Sequence, residues 1–255
     1  MKKAGFTCLA VLLCVYGGTV FADEMSSDKS QNCQDVFGGQ VCTWGEYQDG
    51  NLVAFGATVP LTTIENSPTE GPMAMPPMED GQVAFPEDVQ QKAGIDHLGI
   101  NWEKHGHEPP TFMTPHYDFH FYTISPEEVS TIDCSNHVKP DSIPEGYVLP
   151  DVQDPELGLL VGTCVPAMGM HSLLEKDMNA TELFSATMIV GYYNAKTIFI
   201  EPMIARETLL KRETFSVGVP KSDGSGGHAP WPTSFTAAYD PDSDAYRFTF
   251  SLPTE

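Results

Sequence analysis

Between Pro115 and Tyr122 the chain reads Pro-His-Tyr-Asp-Phe-His-Phe-Tyr, so metal-capable side chains alternate with aromatic ones at a period of two. Successive residues of a β-strand point to opposite faces. The spacing therefore predicts a strand with His116, Asp118 and His120 on one face and Tyr117, Phe119 and Phe121 packed on the other. Imidazole with carboxylate is a donor set that suits zinc and other borderline divalent ions. A second pair, His105 and His107, sits in Glu103-Lys104-His105-Gly106-His107-Glu108, which places four of the eight histidines within sixteen residues.

Strand geometry limits how these residues can share an ion. Residues two apart have Cα atoms roughly 6.6 Å apart, a good separation for two ligands converging on zinc, whereas His116 and His120 are roughly 13 Å apart on a straight strand. One ion is expected to take Asp118 with one of the two histidines, unless a β-bulge draws the ends together. His107 and His171, the latter in Pro166-Ala167-Met168-Gly169-Met170-His171, are the distant candidates to complete the shell, and a nearby glycine in each case would let backbone approach closely. The competing reading is a hydrogen-bonded polar face with no ion, His116 capping a turn and Asp118 orienting a ring.

Glu201, in Phe199-Ile200-Glu201-Pro202-Met203, is a carboxylate inside an apolar run. Burial would raise its pKa and suit it to general acid or base work, with His105 as a second proton carrier; pairing with Arg206, Arg212 or a ligating histidine is the structural alternative. Met73, Met75 and Met78 on a proline-rich stretch offer thioethers that select Cu(I), or simply cover apolar surface. Asp240, Asp242 and Asp244 match the start of a Ca²⁺ loop but lack its glycine and distal glutamate, which favours a polar hairpin turn. No Gly-x-Ser-x-Gly, P-loop or dinucleotide fingerprint occurs, so nucleophilic serine chemistry has no support.

Lys2 and Lys3, the apolar stretch Phe6 to Val20 and the small-residue end Val20-Phe21-Ala22 predict a signal peptide over residues 1–22, with Asp23 as the mature start. Cys14 follows Leu13 rather than a small residue, which disfavours a lipid anchor. No later run of eighteen apolar residues suggests a membrane span, so the expected location is secreted or periplasmic. Four cysteines then remain, Cys33, Cys42, Cys134 and Cys164, and two disulfides are expected in an oxidising compartment. Of three pairings, Cys33–Cys42 with Cys134–Cys164 is favoured because the first pair is close in sequence. A formal charge of −22, becoming −24 after loss of Lys2 and Lys3, repels phosphate backbones and argues against nucleic acid as a partner.

Residues 23–40, rich in Ser, Asp, Gln and Gly, are expected to be a mobile lead-in to a single β-rich domain over 41–255. Hairpins are predicted at Val41–Tyr47 with Leu52–Val59 around Asp49-Gly50, at Phe184–Tyr193 with Thr197–Met203, and at Phe235–Tyr239 with Ala245–Leu252. Leu157 to Val165 reads as a further buried strand and 139–155 as loop. Short helices are predicted over Pro86–Ala93, closed by Gly94, after Ser125-Pro126-Glu127-Glu128 with its N-cap serine and third-position glutamate, and over Ala205–Arg212. The expected fold class is α+β and β-dominated, with mostly antiparallel hairpins forming a sheet, barrel or sandwich and a few short helices.

His105-Gly106-His107-Glu108-Pro109-Pro110, Pro115 through Tyr122, Met168-Gly169-Met170-His171 and Glu201-Pro202-Met203, taken together, resemble a family of uncharacterised exported bacterial proteins. The likeness extends over roughly residues 41 to 252, with Ser172 standing where an aromatic residue is expected. It implies a shared site and no assigned reaction. The leading expectation is thus an exported metal-binding protein with zinc first and copper as the alternative, its ion held among His107, His116, Asp118, His120 and His171. Glu201 or His105 would move protons if the protein is a hydrolase or lyase acting on a small molecule. The alternatives are a non-catalytic metal carrier or buffer, and an oligomeric structural protein assembled through exposed strands.

Overall fold

The computed structural model describes Met1 and residues 30–71, 79–155, 158–221 and 230–253. The predicted signal peptide, the methionine cluster Met73, Met75 and Met78, and the loop 222–227 lie outside the described residues.

Two antiparallel sheets face each other. The first has six strands in the order β1 (Gln31–Val36), β2 (Gly39–Gln48), β3 (Asn51–Pro60), β15 (Ala245–Ser251), β14 (Ser234–Asp240) and β13 (Phe215–Val217). The second has seven, in the order β4 (Gly81–Ala84), β5 (His97–Glu103), β6 (His116–Tyr122), β12 (Lys196–Ala205), β11 (Ala186–Tyr193), β10 (Met170–Leu174) and β7 (Tyr147–Val148). A small ribbon pairs β8 (Val152–Asp154) with β9 (Gly158–Leu160). Neither large sheet closes into a barrel. This is the β-dominated α+β class expected, with short helices at its margins.

The turn chemistry explains the tightest hairpins. Asp49 and Gly50 both have positive φ, at 51° and 79°, the backbone that lets a two-residue turn match the twist of β2 and β3. Asn194 and Ala195, at 49° and 63°, do the same between β11 and β12. At the helix Pro126–Ser130 the Ser125 hydroxyl accepts from the Glu128 amide while the Glu128 carboxylate accepts from the Ser125 amide, a complete capping box. The helix Glu87–Ala93 ends on Gly94 in the left-handed conformation.

Aromatic side chains fill the space between the sheets. Phe119 meets Phe248 edge-on at 4.9 Å between ring centroids, and Phe121 meets Phe250 at 4.9 Å in the same way. Each such ring removes 150–250 Å² from water, worth several kcal/mol at about 25 cal/mol per Å², so this layer is the main source of stability. On the opposite face of the seven-stranded sheet, strand residues such as Met170 pack with the loops and short helical turns that cover them in a second apolar cluster, which includes Phe112, Val129, Ile132 and Cys164.

Three expectations change. The second half of the expected lead-in is β1, a sheet edge in which Cys33 lies opposite Cys42 and bonds to it; its polar composition reflects an exposed edge strand rather than the lack of one. Leu157 to Val165 keeps only Gly158–Leu160 as strand, because Gly162 and Thr163 adopt positive φ and turn the chain. The stretch 139–155 carries β7 and β8 as well as loop. Cys134–Cys164 is the second disulfide. Among the described residues no helix is long and apolar enough to cross a membrane.

Candidate metal centre

Strand β6 carries the centre, and all seven of its residues are buried. Tyr117, Phe119 and Phe121 enter the inter-sheet core, and His116, Asp118 and His120 face the other way, under the loop cover. Pairing then sets the neighbours. On β5, Glu103 lies opposite His116, Asn101 opposite Asp118 and Gly99 opposite His120. On β12, Met203 lies opposite Asp118, which brings Glu201 two residues along the same face toward His120. His171 reaches the face from β10.

These donors fall into two groups. In the outer group, His107, His116 and Asp118 each offer an atom within 4.8 Å of the others; in the inner group, His120, His171 and Glu201 do the same. His107 is an exposed residue whose ring turns inward from the loop before β6. The preceding Gly106 makes this approach feasible: its φ is +67° and a Cβ there would sit 2.2 Å from the Phe112 carbonyl oxygen. Gly169, at φ +125°, gives the chain the same freedom just before His171.

Ring protons in the outer group are fixed by backbone. His116 Nδ1 lies 2.7 Å from the Thr114 carbonyl and His107 Nδ1 lies 2.8 Å from the Glu108 carbonyl. A carbonyl only accepts, so each Nδ1 carries the proton and each Nε2 keeps its lone pair. Those two Nε2 atoms face each other at 3.2 Å, with Asp118 Oδ1 3.3 Å from that of His116. Two lone pairs at that distance repel unless a cation or a proton lies between them. The Nδ1–carbonyl contact is also the arrangement by which proteins orient a metal-ligating histidine.

The inner group is more deeply enclosed. His171 Nδ1 lies 3.2 Å from the Thr163 carbonyl, which leaves its Nε2 toward Glu201 Oε2 at 4.0 Å. His120 Nε2 is 3.5 Å from the same oxygen. Neither contact has hydrogen-bonding geometry: both ring nitrogens of His120, Glu201 Oε2 and Asp118 Oδ1 are buried without a hydrogen-bond partner. Buried polar atoms are partnered in the great majority of cases, so such a concentration on one face requires a reason.

Burial dominates the titration of every member. It pushes His116 down to about 3, with the neighbouring His107 adding to the effect, and His171 down to about 4. His120 is held well below the usual imidazole range by burial and by His171 and His97. Burial lifts the Asp118 and Glu201 carboxyls well above their ordinary range, reinforced at Asp118 by Glu201 and Glu103 and at Glu201 by Glu103. Neutral imidazoles are ready to ligate, and carboxyls that ionise only with difficulty gain most from a bound cation.

A family model for TTHB210-like hypothetical proteins matches residues 48–102. The match covers β3 to β5 and stops before the histidine strand. No curated protein and no solved structure matches the chain.

Six of the seven residues singled out from sequence are distributed between the two groups: His107, His116 and Asp118 in the outer one, His120, His171 and Glu201 in the inner one. Glu201 is not a partner of arginine: Arg206 donates to the Ile64 and Glu65 carbonyls and to Ser67, and Arg212 pairs with Glu65. His105 stands apart, exposed, with Nε2 3.3 Å from the Gly71 carbonyl. Asp240 binds its own turn, accepting from the Asp242 amide and the Ser243 hydroxyl, as a polar hairpin end does.

Sequence reasoning passed over β5. Its alternation His97-Leu98-Gly99-Ile100-Asn101-Trp102-Glu103 places His97, Asn101 and Glu103 on the same face as the donors, and all are buried. Glu103 is raised to about 7 by burial and by the charge of Asp80. Glu79, also raised to about 7 by burial, lies over Gly99, where a Cβ would come within 2.1 Å of its Oε1.

Proposed function

We propose that this chain is an exported metal-binding protein that holds a divalent cation, zinc first among the candidates, at His107, His116 and Asp118. The observation carrying the reading is the pair of Nε2 lone pairs opposed at 3.2 Å, each made available by a backbone carbonyl that takes the Nδ1 proton. Two imidazoles and a carboxylate are a common zinc donor set, and three protein donors leave a fourth position for water or a substrate oxygen, the arrangement of hydrolytic sites. His116 and Asp118 are fixed on a buried strand and His107 forms the exposed side, so a small substrate has an approach from that side. Glu103, opposite His116 on β5, is a further buried carboxyl on this face for moving a proton. Hydrolysis or elimination on a small polar molecule is the chemistry this supports. Two disulfides agree with export.

A carrier is the second reading, favoured by the place of His107 on a loop outside the sheet, a donor that can let go of an ion without unfolding the strands. Elemental analysis of protein purified without added metal tests the common core of both. Bound metal is expected, with one equivalent per chain lost in His107→Ala and in His116→Ala; metal-free protein that takes up none on titration ends the reading. Turnover of small ester, amide and phosphate substrates by the loaded protein, abolished by His107→Ala, separates enzyme from carrier.

A further inference from the structure

The inner group shares no member with the outer one, and we infer that each chain takes up two divalent cations, a readily exchanged one at His107, His116 and Asp118 and a slowly exchanged one at His120, His171 and Glu201. The inference builds on the metal-binding reading and adds a second site, its donor set and its kinetic order.

Strand geometry rules out one shared ion. Only a bulge could bring His116 and His120 together on one strand, and β6 has none against β5: pairing runs without a shift from Glu103 opposite His116 to His97 opposite Tyr122. Their Cα atoms are therefore separated by the full length of four strand residues, roughly 13 Å, and the donor atoms of the two residues fall in different groups. An ion bound to one end is out of reach of donors at the other.

The inner donors also present a need of their own. They come from three strands, β6, β12 and β10, and converge to within 4.8 Å. His120 and Glu201 are 0 % and 1 % exposed, and three of their polar atoms have no hydrogen-bond partner. A histidine–carboxylate hydrogen bond would satisfy them without an ion, but the separations of 3.5 and 4.0 Å are too long for one. A cation at about 2.0–2.2 Å from each donor fits between atoms spaced in this way. Zinc or a similar borderline ion is the chemical class, because two neutral imidazoles with one carboxylate are neither a hard all-oxygen cage nor a soft sulfur site.

Access distinguishes the two sites. The outer ion takes a donor from the loop before β6, while the inner one takes all three of its donors from strands, with His171 held by the Thr163 carbonyl beside the disulfide-bonded Cys164, so its release requires those strands or that turn to open.

The test uses the full mature chain, stripped under mild denaturation, refolded and titrated with Zn²⁺, with metal counted by mass spectrometry and release followed after chelator addition. Two ions per chain are expected, leaving with rates at least tenfold apart. His107→Ala should retain one slow ion and His171→Ala one fast ion. A single ion in the wild type that either substitution removes would overturn the two-site inference and leave metal binding intact, whereas no ion at all would overturn the proposed function itself. If His171→Ala fails to fold, Co²⁺ titration of the wild type decides: a second equivalent with its own d–d bands and slow release supports the inner site, and saturation at one equivalent refutes it.

Discussion

The two faces of β6 are equally buried and oppositely resolved. Tyr117, Phe119 and Phe121 on one side are complete in themselves: aromatic contacts with the facing sheet leave them nothing further to bind. His116, Asp118 and His120 on the other side lose the same contact with water and gain too few partners in return. Burial is thus no measure of whether a site is finished. A fold of this kind is stabilised from the apolar side strongly enough to carry an unsatisfied polar layer on the other, as expected where function sets the residues.

The largest effect should come from the apolar side. Phe119→Ala leaves a cavity between the sheets and is expected to cost about 3–5 kcal/mol, by the same amount in metal-free and metal-loaded protein. Chemical denaturation with and without chelator checks this. A loss that depends on metal would mean the two faces are energetically linked, and the comparison would fail. Metal itself comes next: a free ion concentration a hundredfold above its dissociation constant should add about 2.7 kcal/mol, seen as a fall in Tm on chelation. An unchanged Tm would place no ion on the polar face.

Much of this division was legible in the chain. The period of two from His116 to Phe121 assigned both faces of β6 correctly because strand residues alternate whatever the fold. The hairpins at Asp49-Gly50 and Asn194-Ala195 could be read from turn residues and flanking apolar runs for a similarly local reason. What was not legible is pairing between distant strands. Nothing in Phe199 to Met203 says that Glu201 will meet His120 rather than Arg206, since that depends on β12 lying beside β6 in one particular register. The division of the donors into two groups has the same origin, as does the role of β5, whose alternating pattern gains meaning only beside the histidines.

Titration offers a third way to sharpen the contrast, since the apolar face has no groups to titrate near neutrality. In metal-free protein Glu79 and Glu103 rise from 4.5 to about 7, so the folded state holds protons that the unfolded chain has released. Their contribution is complete below pH 4.5 and drains as pH rises through 7, on the order of 2–3 kcal/mol for Glu79. His116 and His171 fall from 6.5 to about 3 and about 4, so their neutral burial contributes above pH 6.5 and is lost as pH falls toward those values. Thermal melts in chelator should therefore peak between about pH 4.5 and 6.5 and decline on both sides. Glu79→Gln should flatten the alkaline limb. A profile that keeps climbing to pH 8 would show these carboxyls to be solvated.

The smallest expected effect is the most discriminating. Asp118→Asn keeps the size of a side chain that is buried between Asn101, His116 and Met203, and it replaces a carboxyl whose ionisation is opposed by burial and by the nearby Glu201 and Glu103. In metal-free protein the change should move stability by less than about 1 kcal/mol and can favour the variant at alkaline pH, where wild-type Asp118 resists ionising. Outer-site metal affinity should nonetheless fall sharply, because a neutral amide oxygen is a poor substitute for a carboxylate at a divalent ion. A residue kept for packing would show the opposite, a stability loss with metal uptake intact. Parallel denaturation and metal titration of this one variant therefore ask directly whether the polar face is built to hold its own strands together or to hold something else.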